Sequence, residues 1–180
     1  HLKDDEKLIS KVKVKSDNNK FQEDLLSLSK QKPNRKFLGL FKIYLSVYNL
    51  YYNKEDSKIK EKIGEPPVIY DSSLSEASVK AMQQYLNNRG YYDNEISYEH
   101  NASKKKVTLV YQIDKGERYK IAKLNYDIKD SLINQIVRSD SSNRKLNPGS
   151  AFDLDNIKKE RERLEVFIKN KGYYKFSREF

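Results

Sequence analysis

The sequence predicts an α+β protein of two tandem βααββ units, each a small three-stranded sheet with two helices on one face, the second truncated before its last strand. Three observations predict it. Much of the stretch from Pro66 to Tyr92 is written again 82 positions later, the hydrophobic period changes at a glycine in both copies, and an aromatic strand pattern follows each glycine. Pro66 answers to Pro148, Tyr70-Asp71 to Phe152-Asp153, and Met82, Tyr85 and Leu86 to Leu164, Phe167 and Ile168. Asn88-Arg89-Gly90-Tyr91-Tyr92 returns as Asn170-Lys171-Gly172-Tyr173-Tyr174 without a gap. Equal spacing with apolar matched to apolar marks two copies of one supersecondary unit.

Each copy reads the same way physically. A proline marks a turn, and Asp71 or Asp153 beside it caps a helix start. Val79, Met82 and Leu86, and then Ile157, Leu164 and Ile168, keep one apolar stripe on one helix face. Gly90 and Gly172 fall where a helix stops in a left-handed cap. Beyond Gly90, Tyr92, Ile96 and Tyr98 alternate with Asp93, Glu95, Ser97 and Glu99, which predicts a strand over 91–99 with one buried face. Tyr174, Phe176 and Phe180 predict its counterpart.

Taken in order, residues 1–7 are polar and read as frayed. Leu8–Lys15 opens the first unit as a strand, matched by Tyr119–Tyr126. Phe21, Leu25 and Leu28 predict a short helix, matched by Asp130–Arg138 with Leu132, Ile133, Ile136 and Val137. Between opening strand and glycine the first copy is 30 residues longer, a surplus lying at about 30–62. Its centre, Phe37–Tyr52, is apolar and aromatic with Lys42 as the only charge, so an extra helix packed on the first unit is expected. Such a helix rises about 24 Å, short of the roughly 30 Å hydrocarbon core of a bilayer. Its functional reading is a docking surface for a partner or a membrane interface, carried by Phe37, Leu40, Phe41, Tyr44 and Tyr48. Asn101–Lys104 reads as a turn, and Val107, Leu109, Tyr111 and Ile113 as the closing strand of a hairpin. The resulting domains are 1–116, with the insertion, and 117–180, lacking its last strand.

Composition narrows the chemistry. There is no Cys, so disulfides, thiolate catalysis and cysteine metal sites are ruled out. The two histidines, His1 and His100, have no metal-ligand spacing, and no phosphate loop or nucleophile elbow appears. No enzyme activity, metal or cofactor is expected. The net charge of +10 raises one alternative, a basic nucleic-acid-binding module. Lys11, Lys13 and Lys15, however, alternate with Val12 and Val14 as on the wet face of a strand. The βααββ order is also shared with RNA-binding KH modules, but their Gly-x-x-Gly loop is missing. No apolar run reaches 18 residues and no basic-plus-apolar leader precedes His1, so the chain reads as mature or trimmed.

These motifs resemble a known family. The βααββ order with a helix running into Gly-Tyr-Tyr, and Phe152-Asp153 … Leu164 … Asn170-Lys171-Gly172-Tyr173-Tyr174, resemble the polypeptide-transport-associated (POTRA) domains of the BamA/TamA superfamily. Gln31-Lys32-Pro33-Asn34-Arg35, Gly39-Leu40-Phe41, Tyr48-Asn49 and Gly64-Glu65-Pro66-Pro67-Val68 are similar to the TamA-like lipoproteins of Bacteroidota. The resemblance implies a module on the periplasmic side of the outer membrane, with a lipid anchor upstream by analogy. The implied partners are unfolded outer-membrane polypeptides, accessory assembly proteins and a C-terminal membrane barrel absent from this sequence; no nucleic acid is expected. The free edge would be the strand after Gly-Tyr-Tyr, binding by β-augmentation through Tyr91, Asp93, Asn94, Glu95, Ser97 and Glu99.

Overall fold

Val107, Leu109, Val110, Tyr111 and Ile113 are all buried, and a strand apolar on both faces belongs in the middle of a sheet. The computed structural model, which describes residues 2–39, 41–54 and 57–177, places it there. Strands β1 (Leu8–Ser16), β2 (Glu95–Ser103) and β3 (Lys106–Asp114) form one sheet in the order β1-β3-β2. β3 runs parallel to β1, with Val12 opposite Leu109, and antiparallel to β2, with Tyr98 opposite Tyr111. The register shifts between Ile9 and Lys11, and there the Ser10 hydroxyl donates to the Val107 carbonyl at 2.8 Å. Lys11, Lys13 and Lys15 stand opposite Thr108, Val110 and Gln112 and are themselves exposed. The hairpin turn comes later than the sequence suggests: Asn101, Ala102 and Ser103 stay in β2, and Lys104 takes the positive φ of 53°.

The helices of this unit are α1 (Gln22–Ser27), α2 (Ile43–Leu50), α3 (Lys58–Ile63) and the first part of α4 (Ser72–Asn88). Asp71 caps α4, accepting from the Ser73 amide and hydroxyl at 2.8 and 2.7 Å. Those bonds, the hydroxyl's first, hold its carboxyl below the usual range. Ser75, Ser78, Met82 and Leu86 are buried and share one helical face, while Val79 is half-buried. Two buried amides tie the chain together here. Gln31 accepts from the Asp71 amide at 2.9 Å and donates to the Asp71 carbonyl at 2.6 Å and the Ser75 hydroxyl at 3.0 Å. Asn34 donates to the Pro66 carbonyl at 2.7 Å and accepts from the Val68 amide at 3.2 Å.

The insertion is not one helix over Phe37–Tyr52. The Phe37 amide bonds the Phe41 carbonyl and the Phe41 amide returns to Phe37, while Leu38 and Gly39 take positive φ of 48° and 72°. That closed turn is incompatible with helix, so α2 starts only at Ile43. A run rich in aromatic and β-branched residues also has little helix propensity to oppose it.

Contacts gather the chain into two compact units, residues 1–84 with 95–114 and residues 85–94 with 115–180. The end of α4 and the Gly-Tyr-Tyr turn therefore count with the second unit. The reason is local: the Gly90 carbonyl accepts from the Tyr119 amide at 2.8 Å, and the Tyr92 ring meets those of Tyr119 and Phe152 at 5.3 and 5.7 Å. This unit holds α5 (Ser131–Ser139) and α6 (Leu154–Asn170). Asp130 caps α5 through the Leu132 and Ile133 amides, and Asp153 caps α6 through that of Asp155. Asp153 also takes Arg118 at 3.0 Å and Arg89 at 3.4 Å.

Two expected strands are missing from this unit. Residues 119–126 make a single bridge, Lys120 to Ala151, and Tyr174 lies in a turn with Phe176 beyond it outside any strand. Phe180 lies outside the described residues. Alternation alone does not make a strand; it needs a ladder, and among the described residues neither segment has one.

An ion cluster stiffens the second unit. Arg163 holds Glu160 with two bonds of 2.8 and 3.0 Å and also pairs with Asp140. Asp140 takes a further bond from Asn143 at 2.7 Å, and Glu160 one from the Lys145 amide at 3.2 Å. The Asn143 and Arg163 bonds hold the Asp140 carboxyl below its usual range. Burial pushes Glu160 up, but bonds from Arg163 and the Lys145 amide outweigh it and leave its carboxyl lowered too.

Two outcomes follow for stability. Gly90 has φ +85° and an added Cβ would stand 2.7 Å from the Phe152 carbonyl oxygen, whereas Gly172 at φ +101° has nothing within 4 Å. Gly172→Ala should cost about 1–2 kcal/mol for the left-handed backbone alone. Gly90→Ala should cost more in denaturant unfolding, and equal losses would refute the close approach. Because Asp140 and Glu160 have folded pKa values below their unfolded ones, their contribution is complete above the ordinary carboxylate range of about 4. It is lost as pH falls through the depressed values. Arg163→Met should lower stability near neutral pH by about 3 kcal/mol, and the gap to wild type should narrow in acid. A constant gap from neutral pH to acid would contradict the assignment.

Candidate functional site

The two edges of the sheet are treated differently. On β1 the Ile9 amide donates to the Val68 carbonyl at 2.8 Å and the Tyr70 amide to the Lys7 carbonyl at 2.8 Å. Farther along, the Gln22 side chain donates to the Val14 carbonyl at 3.0 Å. On β2, by contrast, the side away from β3 has no strand partner among the described residues.

Of the residues expected to form a binding edge, Glu95, Ser97 and Glu99 lie on β2, exposed, opposite Asp114, Gln112 and Val110. Gln112 donates to Glu99 at 3.2 Å. Ile96 and Tyr98 are half-buried and turn the other way, as the alternation requires. The strand starts at Glu95, so Tyr91, Asp93 and Asn94 precede it, against expectation. Asn94 explains the late start: its side chain donates to the Asn87 side chain at 2.8 Å and the Tyr91 carbonyl at 2.7 Å. Those bonds fold 91–94 into a turn. Tyr91 is buried, its ring 5.6 Å from the Arg118 guanidinium. Asp93 is taken by the Tyr119 hydroxyl, whose pKa rises through that bond and through the carboxylate's charge.

A cleft of about 570 Å³ crosses all three strands, from Lys15 and Asp17 through Gln112 and Asp114 to Glu95 and Ser97. It opens at the start of β2, beside the unpartnered edge. Glu95 opposite Asp114 gives this mouth an acidic side, and Lys15 the opposite sign. Among the described residues no His, Asp and Glu gather in a way that could hold a metal ion, and no helix is long and apolar enough to cross a membrane.

The insertion divides the residues expected to dock. Phe37 and Phe41 are exposed. Tyr44 is half-buried with the Arg35 guanidinium 4.8 Å from its ring, and Tyr48 is half-buried with Lys60 at 5.4 Å. Leu40 lies outside the described residues. Sequence reasoning missed Leu38, which is exposed in the turn, and the structural weight of Gln31 and Asn34. Polar residues follow no period, so only the unusual Gln-x-Pro-Asn order marked them.

A family model described as "POTRA: Surface antigen variable number repeat" matches residues 7–116. Similar solved structures include a crystal structure of Haemophilus influenzae BamA POTRA3-5, at TM-score 0.43 and 13% identity, covering 93% of this chain and 51% of that one. Another is H. influenzae BamA POTRA4, at TM-score 0.39 and 11% identity, covering 62% of this chain and 94% of that one. The chain thus spans about half the length of the first. No curated protein matches. With its sheet, helices and glycine stop inside the matched span, the chain belongs to the POTRA family.

Proposed function

We propose that this chain is the periplasmic module of an outer-membrane assembly or translocation factor, most like the TamA-like lipoproteins of Bacteroidota. It binds and positions rather than catalyses. Its clients are unfolded outer-membrane polypeptides, accepted as an added strand along the outer edge of β2, with Glu95, Ser97 and Glu99 beside them. Accessory assembly proteins and a C-terminal membrane barrel of a longer chain are its other partners. The observation that carries this reading is the contrast of edges: β1 is engaged by 68–70 and Gln22, and β2 has no second strand partner among the described residues. Backbone pairing is tolerant of sequence, which suits many clients.

The second unit fits the same frame. In the repeat, segments 119–126 and 173–177 correspond to β1 and β2.

Extended peptides of alternating apolar and polar residues, titrated in an NMR experiment, should shift the amides of Glu95–Ser103 and spare those of β1. Unmoved β2 amides would sink the edge site. The binding should weaken only slightly with salt; duplex DNA bound tighter than micromolar, with a steep salt dependence, would favour the nucleic-acid alternative instead. A chain lengthened by about one hairpin strand should melt higher and protect the amides of 119–126 from exchange; no change in either would mean that the second repeat is misaligned.

A further inference from the structure

The turn at the head of the insertion is built to expose apolar side chains. Phe37, Leu38 and Phe41 are 45%, 80% and 62% exposed, yet the loop carrying them is closed by the Phe37–Phe41 bonds of 2.7 and 3.2 Å. Leu38 occupies φ +48°, a left-handed conformation unfavourable for a side-chain-bearing residue. Strain of this kind persists where the surroundings enforce it, and they do. Asn34, 1% exposed, bonds the 66–68 segment, Arg35 pairs with Glu65, and the Glu65 amide donates to the Tyr44 carbonyl at 3.1 Å.

Charge gathers in the same place. Residues 30–62 hold nine Lys and Arg against three Asp and Glu, a net +6 of the chain's +10. Lys36 and Lys42 flank the apolar turn directly, and neither these nor Lys106 forms an ion pair with a described residue. Burial, and then the like charges of Lys106 and Lys36, press the Lys42 ammonium below its ordinary range, with Glu65 opposing. The Lys42 ammonium thus sits beside two like charges at the foot of an exposed apolar turn, and an anionic surface would favour that arrangement.

We infer that this turn docks on an anionic phospholipid surface, with Phe37, Leu38 and Phe41 entering the interface and the flanking Lys36 and Lys42 against the headgroups. A small apolar tip flanked by lysines matches an interface that is apolar below and negative above. This inference is independent of peptide pairing at β2, and either can fail alone.

The chain has no Trp, so Phe41→Trp places a single reporter in the turn. Its emission should shift to the blue with phosphatidylglycerol–phosphatidylcholine vesicles, be quenched by brominated acyl chains, and stay unchanged with phosphatidylcholine alone. Adding Lys36→Gln and Lys42→Gln should weaken vesicle binding about tenfold or more, since each lysine near such a surface contributes about 1 kcal/mol. Melting curves confirm that the variants fold, and Val166→Trp on α6, at a 59% exposed position, should remain in water throughout. No shift with anionic vesicles, an equal shift with neutral ones, or a shift seen only with added polypeptide overturns the inference.

Discussion

Every ladder bond of the sheet runs through β3, because β1 and β2 are neighbours of β3 and never of one another. This one constraint determines what the rest of the first unit must do. Each outer strand has a row of backbone groups that β3 cannot reach, and buried or not, they must be accounted for. At β1 the segment 68–70 and the Gln22 side chain take part of that row. At β2 it faces outward with charged and small polar side chains beside it, a common way to keep an edge from indiscriminate pairing. Openness at β2 is thus a product of where β3 lies.

Apolar material is thin here, 37% of residues, and both units rely on buried polar groups. In the first, Gln31 and Asn34 each satisfy backbone groups that would otherwise be stranded, fixing both roots of a 30-residue excursion. In the second, Arg163 gathers two carboxylates from different segments. Such networks add little net stability compared with apolar packing, but they are intolerant of misplacement and so define one arrangement.

The sequence was most legible where a local rule acts alone. Gly90 and Gly172 do adopt left-handed conformations after their helices, and α1, α4, α5 and α6 lie where apolar spacing and capping aspartates put them. The β2–β3 hairpin was legible for the same reason, though its turn moved by a few residues. What failed depended on partners distant in the chain. The alternation at 119–126 is real, but without a ladder it does not become a strand. The start of β2 was misread because Asn94 overrides the period after Gly90, and its two side-chain bonds leave no periodic trace. The insertion looked helical because length and apolarity cannot reveal that Phe37 and Phe41 pair with each other. Of the residues expected along the edge, Glu95, Ser97 and Glu99 lie on β2, whereas Tyr91 packs beside Arg118, Asp93 meets Tyr119 and Asn94 bonds Asn87 and Tyr91.

The middle strand of the sheet is also the last to be made. Leu8 precedes its partner Lys106 by 98 positions, so a chain emerging N-terminus first leaves β1 unpaired for roughly 5–20 s at ribosomal speed. Through that interval an apolar strand is a hazard, since any other open edge can capture it. Lys11, Lys13 and Lys15, spaced at every second residue, then act as gatekeepers whose mutual repulsion discourages the stacking of like strands. Their value is greatest before the fold exists, and in the finished sheet they are merely its wet face.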